Sequence, residues 1–294
     1  MPAVPAIVRL SAFLVLATLA GSNAGGAGTV AGAMNGAPRR ILSINVCADQ
    51  LVLALADRDQ IAALTRNVTD PELSASAKQA RGVPTVGGSA EEILALAPDL
   101  VVGMPASGSP ALLALGTRRY ATLDVPFANN YADILTSIRV VARAVGHPDR
   151  GEALIARMNA GLARLPRARA PVVAAYYQRR GYLTGTGTLV DDMMRRAGMV
   201  NLAARLNRPP LSILSLEEMV AARPDYLIVE SPTGPAHDQG TQMLTHPALR
   251  DIPRIAIPQA WTVCGGPAYV QAVRALAMKA NAPRPATGSV RSGH

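Results

Sequence analysis

Aromatic side chains make up only 3% of this 294-residue sequence, with a single tryptophan, Trp261. Four histidines (His147, His237, His246 and His294) lie far apart and lack the short spacings that ligate a metal. A metal centre built by the chain itself is therefore not indicated. A Walker phosphate loop and a Gly-x-Ser-x-Gly nucleophile elbow are both missing. Gly185-Thr-Gly187-Thr-Leu-Val190 begins like a dinucleotide fingerprint but lacks its last glycine, and reads as a turn into a helix. Basic and aromatic residues are not interleaved, so the formal charge of +9 does not indicate a nucleic-acid reader. Asp191-Asp192 and Glu217-Glu218 are paired carboxylates, but each pair sits at a helix start, where the positive helix end favours acid anyway. No residue set points to catalysis, so the expectation is a protein that is not an enzyme and has no catalytic residues.

Long apolar runs are equally scarce. One exists, Leu10 to Ala20 after Arg9, followed by the small residues of Ser22-Asn23-Ala24. It is too short to span a bilayer and has the pattern of a cleaved secretory signal peptide over residues 1–24. With no cysteine near the cleavage point, a lipid anchor is not indicated. Removing residues 1–24 removes one positive charge, Arg9, and leaves +8 (9 − 1), which favours anionic ligands and surfaces. The remainder, with 49% hydrophobic and 17% charged residues overall, is enough for a large core or for two lobes. The two cysteines, Cys47 and Cys264, lie far apart in sequence. In an oxidising compartment they either pair or stay as thiols beside a ligand.

Residues 25–38 are rich in Gly and Ala and read as a flexible leader; residues 281–294 read as a disordered tail. Between them strands and helices alternate, which argues for parallel sheets covered by helices. Strands are expected at Ile41–Val46, Leu100–Met104, Thr122–Pro126, Pro171–Tyr177, Tyr226–Glu230 and Arg254–Ile257. Asp49–Ala56 reads as a helix with Asp49 as its N-cap, and further helices fall around 188–197, 215–222 and 267–280. Apolar residues recur at helical spacing through 131–165 with no strand between them: Ile134, Ile138, Val141 and Val145, then Leu154, Met158, Leu162 and Leu165. Pro148 either separates two helices there or kinks one long one.

The strongest internal signal is a repeat. Ser89-Ala-Glu-Glu-Ile-Leu-Ala-Leu-Ala-Pro-Asp-Leu-Val-Val102 matches Ser215-Leu-Glu-Glu-Met-Val-Ala-Ala-Arg-Pro-Asp-Tyr-Leu-Ile228, offset by 126 residues (215 − 89). Each copy supplies a Ser cap, acid for the positive helix end, a Pro stop and an apolar strand. Two similar lobes explain the recurrence.

Arg40-Ile-Leu-Ser-Ile-Asn-Val-Cys-Ala-Asp-Gln-Leu51, Val86-Gly-Gly-Ser-Ala-Glu-Glu-Ile93 and Ala97-Pro-Asp-Leu-Val-Val102 are together similar to periplasmic solute-binding proteins of the cobalamin and ferric-siderophore class of ABC importers. The resemblance covers about residues 39–280. It implies an α/β fold of two Rossmann-like lobes, 39–130 and 169–280, joined by a long helical connector over 131–168, with the ligand in the cleft between the lobes. It implies a periplasmic location and a monomer that passes its cargo to a permease with a cytoplasmic ATPase. The cargo would be an iron-siderophore complex, a corrinoid or haem, with no cofactor of the protein's own. By position in the repeat, Glu91 and Glu217 match the family's permease-docking carboxylates.

Ligands of parallel α/β sheets sit beyond the carboxyl ends of the strands. That rule selects Asn45, Val46, Cys47, Gly87, Gly88, Met104 and Pro105 in the first lobe. In the second it selects Tyr176, Tyr177, Gln178, Arg179, Arg180, Tyr182, Trp261, Cys264 and Gly265. Arginines pair with carboxylates and rings supply area to a large flat ligand. One of Tyr176 and Tyr177 is expected in the core and the other exposed, by strand alternation. Other readings are an exported metal- or haem-binding enzyme or chelatase on the same scaffold, and a sensor that reports a ligand to a membrane partner.

Overall fold

The computed structural model describes residues 30–31, 36–116, 120–166, 170–231 and 242–282. The signal peptide, most of the leader, nearly all of the tail, His237 and His294 lie outside these residues.

The first lobe is built on a six-stranded sheet. Its strands are β1 (Val30–Ala31), β2 (Ile41–Ser43), β3 (Ile61–Thr65), β4 (Thr85–Val86), β5 (Leu100–Gly103) and β6 (Thr122–Asp124), in the order β1-β6-β5-β2-β3-β4. All pairings are parallel except β1 with β6. Part of the expected leader is thus an edge strand. The second lobe carries β7 (Val172–Tyr176), β9 (Met199–Asn201), β11 (Tyr226–Ser231) and β12 (Arg254–Pro258) in the parallel order β12-β11-β7-β9. Beside it β8 (Tyr182–Thr184) and β10 (Leu211–Ile213) form an antiparallel ribbon, in which Ile213 faces Tyr182 and Leu211 faces Thr184.

The first helix, α1 (Val46–Leu55), starts earlier than the sequence suggests. Asn45 is its cap: the side-chain carbonyl accepts the N–H groups of Cys47 (2.9 Å) and Ala48 (3.3 Å). The strand before it is correspondingly short, ending at Ser43. Asp49 is therefore not a cap. It is fully buried inside α1, where it accepts the N–H and hydroxyl of Thr65. Burial pushes its carboxyl up to about 6, against the opposing hydrogen bonds from Ser43 and Thr65.

The repeat gives two matching units. In α2 (Ala90–Leu96) and α8 (Leu216–Ala222) the capping serines, Ser89 and Ser215, accept the N–H groups of Glu92 and Glu218, whose carboxylates reach back to the serine N–H groups at 3.0 and 3.1 Å. Both helices end on a left-handed residue, Ala97 (φ 41°) and Arg223 (φ 44°). In both, the following aspartate then clips the neighbouring strand: Asp99 accepts the N–H of Arg40 at 2.9 Å, and Asp225 that of Val173 at 2.8 Å.

The connector is two helices. α3 (Pro110–Leu115) and β6 complete the first lobe, and α4 (Tyr131–Ala144) runs from the second lobe towards the first. After Gly146 (φ 87°), α5 (Pro148–Ala163) turns back against α4. Gly151 permits the close approach, since a Cβ there would lie 2.6 Å from Ala142 Cβ. Arg150 anchors the start of α5 to the first lobe, bonding Leu55 O (2.8 Å) and Asp57 (2.7 Å), while His147 pairs with Asp57 at 2.9 Å. Gly161, near its end, approaches Val270 of α9 (Tyr269–Ala280). α5 is therefore the crossing segment. The second lobe's remaining helices are α6 (Leu189–Arg196) and α7 (Leu202–Arg205).

One apolar cluster runs unbroken from β2 and α1 through α4 and α5 to α6, β7 and α9, so the lobes share a core on the connector side. Polar contacts reinforce it. Asp192 of α6 accepts the Tyr131 N–H (3.0 Å) and the Tyr269 hydroxyl, the two rings lie 5.1 Å apart, and Arg196 sits 4.8 Å over Tyr131.

Candidate ligand-binding cleft

In each lobe the strand order reverses once, between β2 and β5 in the first and between β7 and β11 in the second. Loops leaving neighbouring strands part at such a point and leave a crevice. In the second lobe that crevice is a cleft of about 380 Å³, lined by Gln178, Arg179, Arg180, Tyr182, Glu230 and Gln259. The first four were legible from sequence. Glu230, at the end of β11, and Gln259, just after β12, were missed. The same strand-end rule finds them once those two strands are followed to their last residue.

The cleft wall is held by a hydrogen-bonded network. Glu230 Oε1 accepts from the Tyr176 hydroxyl (2.9 Å) and the Gln178 amide (3.0 Å). Tyr176 also meets the Thr262 hydroxyl at 3.0 Å, and Thr184 donates to the Gln178 carbonyl at 3.4 Å. Arg180 stands at φ 58°, the left-handed region costly for a side-chain-bearing residue, and is followed by Gly181 at φ 76°. This turn presents the two exposed arginines at the strand end.

Tyr176 and Tyr177 are both buried, at 2% and 0% exposure, and neither lines the cleft directly. The expected exposed partner is absent because this parallel sheet is covered on both faces. Tyr176 belongs to the shared core and Tyr177 to a second cluster with Leu183, Leu214 and Leu227. Tyr177 donates to Leu214 O at 2.9 Å, and burial, with the charges of Glu217 and Glu218, pushes its phenol up to about 12. Burial also pushes the Tyr176 phenol upward, helped by the Glu230 charge.

Cys47 and Cys264 are joined in a disulfide between the first turn of α1 and the loop before α9. It links the two lobes directly, across 217 residues of sequence. Gly265 beside it is a packing residue: a Cβ there would come 2.4 Å from Ala128 Cβ, where the lobes touch. Trp261 is half-buried against the shared core. In the first lobe, Asn45 is the α1 cap and Val46 the first residue of that helix, so both serve α1. Met104 and Pro105, joined by a cis peptide, follow β5 at the reversal point. Gly87 and Gly88 lead into α2, with the Gly87 N–H donating to Glu92 at 3.1 Å. Of the first-lobe selections, Met104 and Pro105 remain at a crevice position, Met104 also packing against the shared core.

Glu91 and Glu217 are exposed, each one position before the glutamate that completes the cap. Glu92 and Glu218 are engaged by Arg66 (3.2 Å) and Arg208, whereas Glu91 and Glu217 make no ion pair among the described residues.

Two α/β lobes that each carry a reversal point, a cleft at strand ends and a helical crossing define a two-lobed solute-binding protein. The sequence gives the same result: residues 41–256 match the periplasmic binding protein family, and the chain belongs to that family. The family comprises substrate-binding components of ABC importers for iron complexes, haem or vitamin B12, and they are not enzymes. Among solved structures, the chain is similar to the periplasmic haem-binding protein RhuT from Roseiflexus sp. RS-1, at 28% identity and a TM-score of 0.65, covering 84% of this chain and 100% of that one. An ABC-type Fe3+-hydroxamate transport protein from Saccharomonospora viridis shares 22% identity (TM-score 0.63; 85% and 95% covered). The vitamin B12 binding protein BtuF of Vibrio cholerae shares 18% (TM-score 0.60; 84% and 98% covered), and these last two speak for the fold alone. No curated protein matches the chain.

Proposed function

We propose that the mature chain is exported to the periplasm, captures a preformed metal complex in the second-lobe cleft and hands it to an ABC permease. The cargo class is an iron-siderophore complex or a corrinoid, with haem as the third member. The observation that carries this reading is the cleft itself: Arg179, Arg180 and Tyr182 gathered with Gln178, Glu230 and Gln259 at the lobe's reversal point. Arginines suit carboxylates or phosphates of a ligand, and a ring edge suits its flat body. Among the described residues, no three His, Cys, Asp or Glu side chains gather as a metal-ligand set.

Glu91 and Glu217, exposed at equivalent places on the two lobes, are the docking carboxylates for arginines of the permease in this reading. The protein acts as a monomer, one two-lobed chain on one transporter.

The test is titration of the purified mature protein with cyanocobalamin, ferric siderophores and haemin, followed by Tyr and Trp fluorescence and by thermal shift. A true ligand at a hundredfold excess over Kd adds about 2.7 kcal/mol and raises the melting temperature. Saturable binding of one complex, lost in Arg179→Ala and Arg180→Ala, supports the reading. A well-folded protein that ignores the whole panel overturns it.

A further inference from the structure

The cleft carries charges of both signs, and among the described residues Arg180 and Glu230 do not pair with each other. Arg180 makes no hydrogen bond or ion pair among the described residues. Glu230 lines the same cleft from the end of β11, half-buried. Its Oε1 already accepts two hydrogen bonds, from Tyr176 and Gln178. Both are donors, and together they fix the orientation of the carboxylate. Its Oε2 has no partner among the described residues. The Gln178 amide is spent on Glu230 and Thr184, so it cannot turn round to satisfy that oxygen. A bound ligand that excludes water here must supply a donor to Glu230 and an acceptor to Arg180, since an unpaired charge left in a closed site is costly.

We propose that Glu230 is a specificity-determining residue, and that the cleft selects metal complexes carrying an N–H donor, carboxamide or ammonium, beside an acceptor for Arg180. The inference rests on the cleft reading above and narrows it. Haem presents two carboxylates at its edge and no outward N–H, so its acidic edge is repelled by Glu230. Corrinoids carry peripheral carboxamides, and some hydroxamate siderophores carry a free ammonium. Both offer the required donor.

The experiment uses the wild-type mature protein, Glu230→Gln and Glu230→Ala, with four probes: cyanocobalamin, an ammonium-bearing ferric hydroxamate, its N-acetylated form, and haemin. The wild type should prefer an N–H-bearing complex over haemin by about tenfold or more, the size of one charge-assisted hydrogen bond. Glu230→Gln should narrow that gap by a similar factor and leave haemin unchanged or tighter. An equal loss on acetylating the hydroxamate, measured on the wild type alone, assigns the donor to an ammonium. Selective loss of cyanocobalamin in Glu230→Ala, with acetylation silent, assigns it to a carboxamide. The acetylation arm needs no variant, so a Glu230 substitution that misfolds does not hide the answer. Haemin as the tightest ligand, unaffected by Glu230→Gln, overturns this inference while the importer reading stands. Silence with all four probes overturns both.

Discussion

Reduction of the Cys47–Cys264 disulfide should weaken the fold by several kcal/mol, and the size follows from its position. The bond closes a loop of 217 residues. In the chain-entropy account, a loop of that length removes about 5 kcal/mol worth of freedom from the unfolded chain. Measured values usually fall short, so about 2–5 kcal/mol is expected at neutral pH. The shared core, the α5 crossing and the contacts around Asp192 remain in place without it, so the reduced protein should still fold. The assay is thermal unfolding of the oxidised mature protein, of the same protein in reductant, and of Cys47→Ala/Cys264→Ala. Reduced and doubly substituted forms should match each other, with a melting temperature at least about 5 °C below the oxidised form. Two titratable thiols in protein recovered from an oxidising compartment would refute the assignment. So would an unfolding midpoint indifferent to reductant.

Other expectations follow from single residues. Asp49 titrates higher in the folded protein than its ordinary value of 3.8, at about 6, so the native state binds the extra proton between those pH values. Stability should therefore fall as pH rises from about 4 to 6, by up to about 3 kcal/mol, and be level above; urea midpoints of Asp49→Asn across that range should lack this slope. Gly265→Ala forces a Cβ against Ala128 at the lobe contact and should cost about 1–3 kcal/mol, read as a lowered melting temperature with the disulfide intact. Ser89→Ala or Ser215→Ala removes a helix cap and should cost about 1 kcal/mol. Glu91→Ala and Glu217→Ala should leave melting temperature and ligand affinity unchanged but abolish uptake in a transport assay; lost ligand affinity would overturn the docking assignment.

The repeat was legible because its signals are local. A serine cap, two glutamates and a Pro-Asp stop specify helix and strand within fourteen residues, whatever packs on them. The structure adds that the second glutamate of each pair completes the cap, which leaves the first exposed. Helices 188–197, 215–222 and 267–280 came within a few residues of the observed ones for the same reason. What escaped was tertiary. Ile61–Thr65, with two alanines, does not read as a strand until β2 pairs with it. Asp49 looks like a cap because short acids favour helix starts, but Asn45 takes that place and Asp49 is carried into the interior to meet Thr65. Alternation at Tyr176 and Tyr177 suggested one wet face, yet the helices leave none. Four of six cleft residues were legible because they follow β7, whose end was read one residue late at Tyr177, whereas Glu230 closes the Tyr226–Glu230 strand as read and was not counted among its loop residues.

The two lobes are joined along one side. The chain crosses from lobe to lobe along α5, and the Cys47–Cys264 bond pins them a second time through the loop before α9. Between these two ties lies the shared apolar core, so separating the lobes means breaking a packed seam as well as straining two covalent links. A reductant therefore cuts one stitch and leaves the packed seam and the backbone crossing intact.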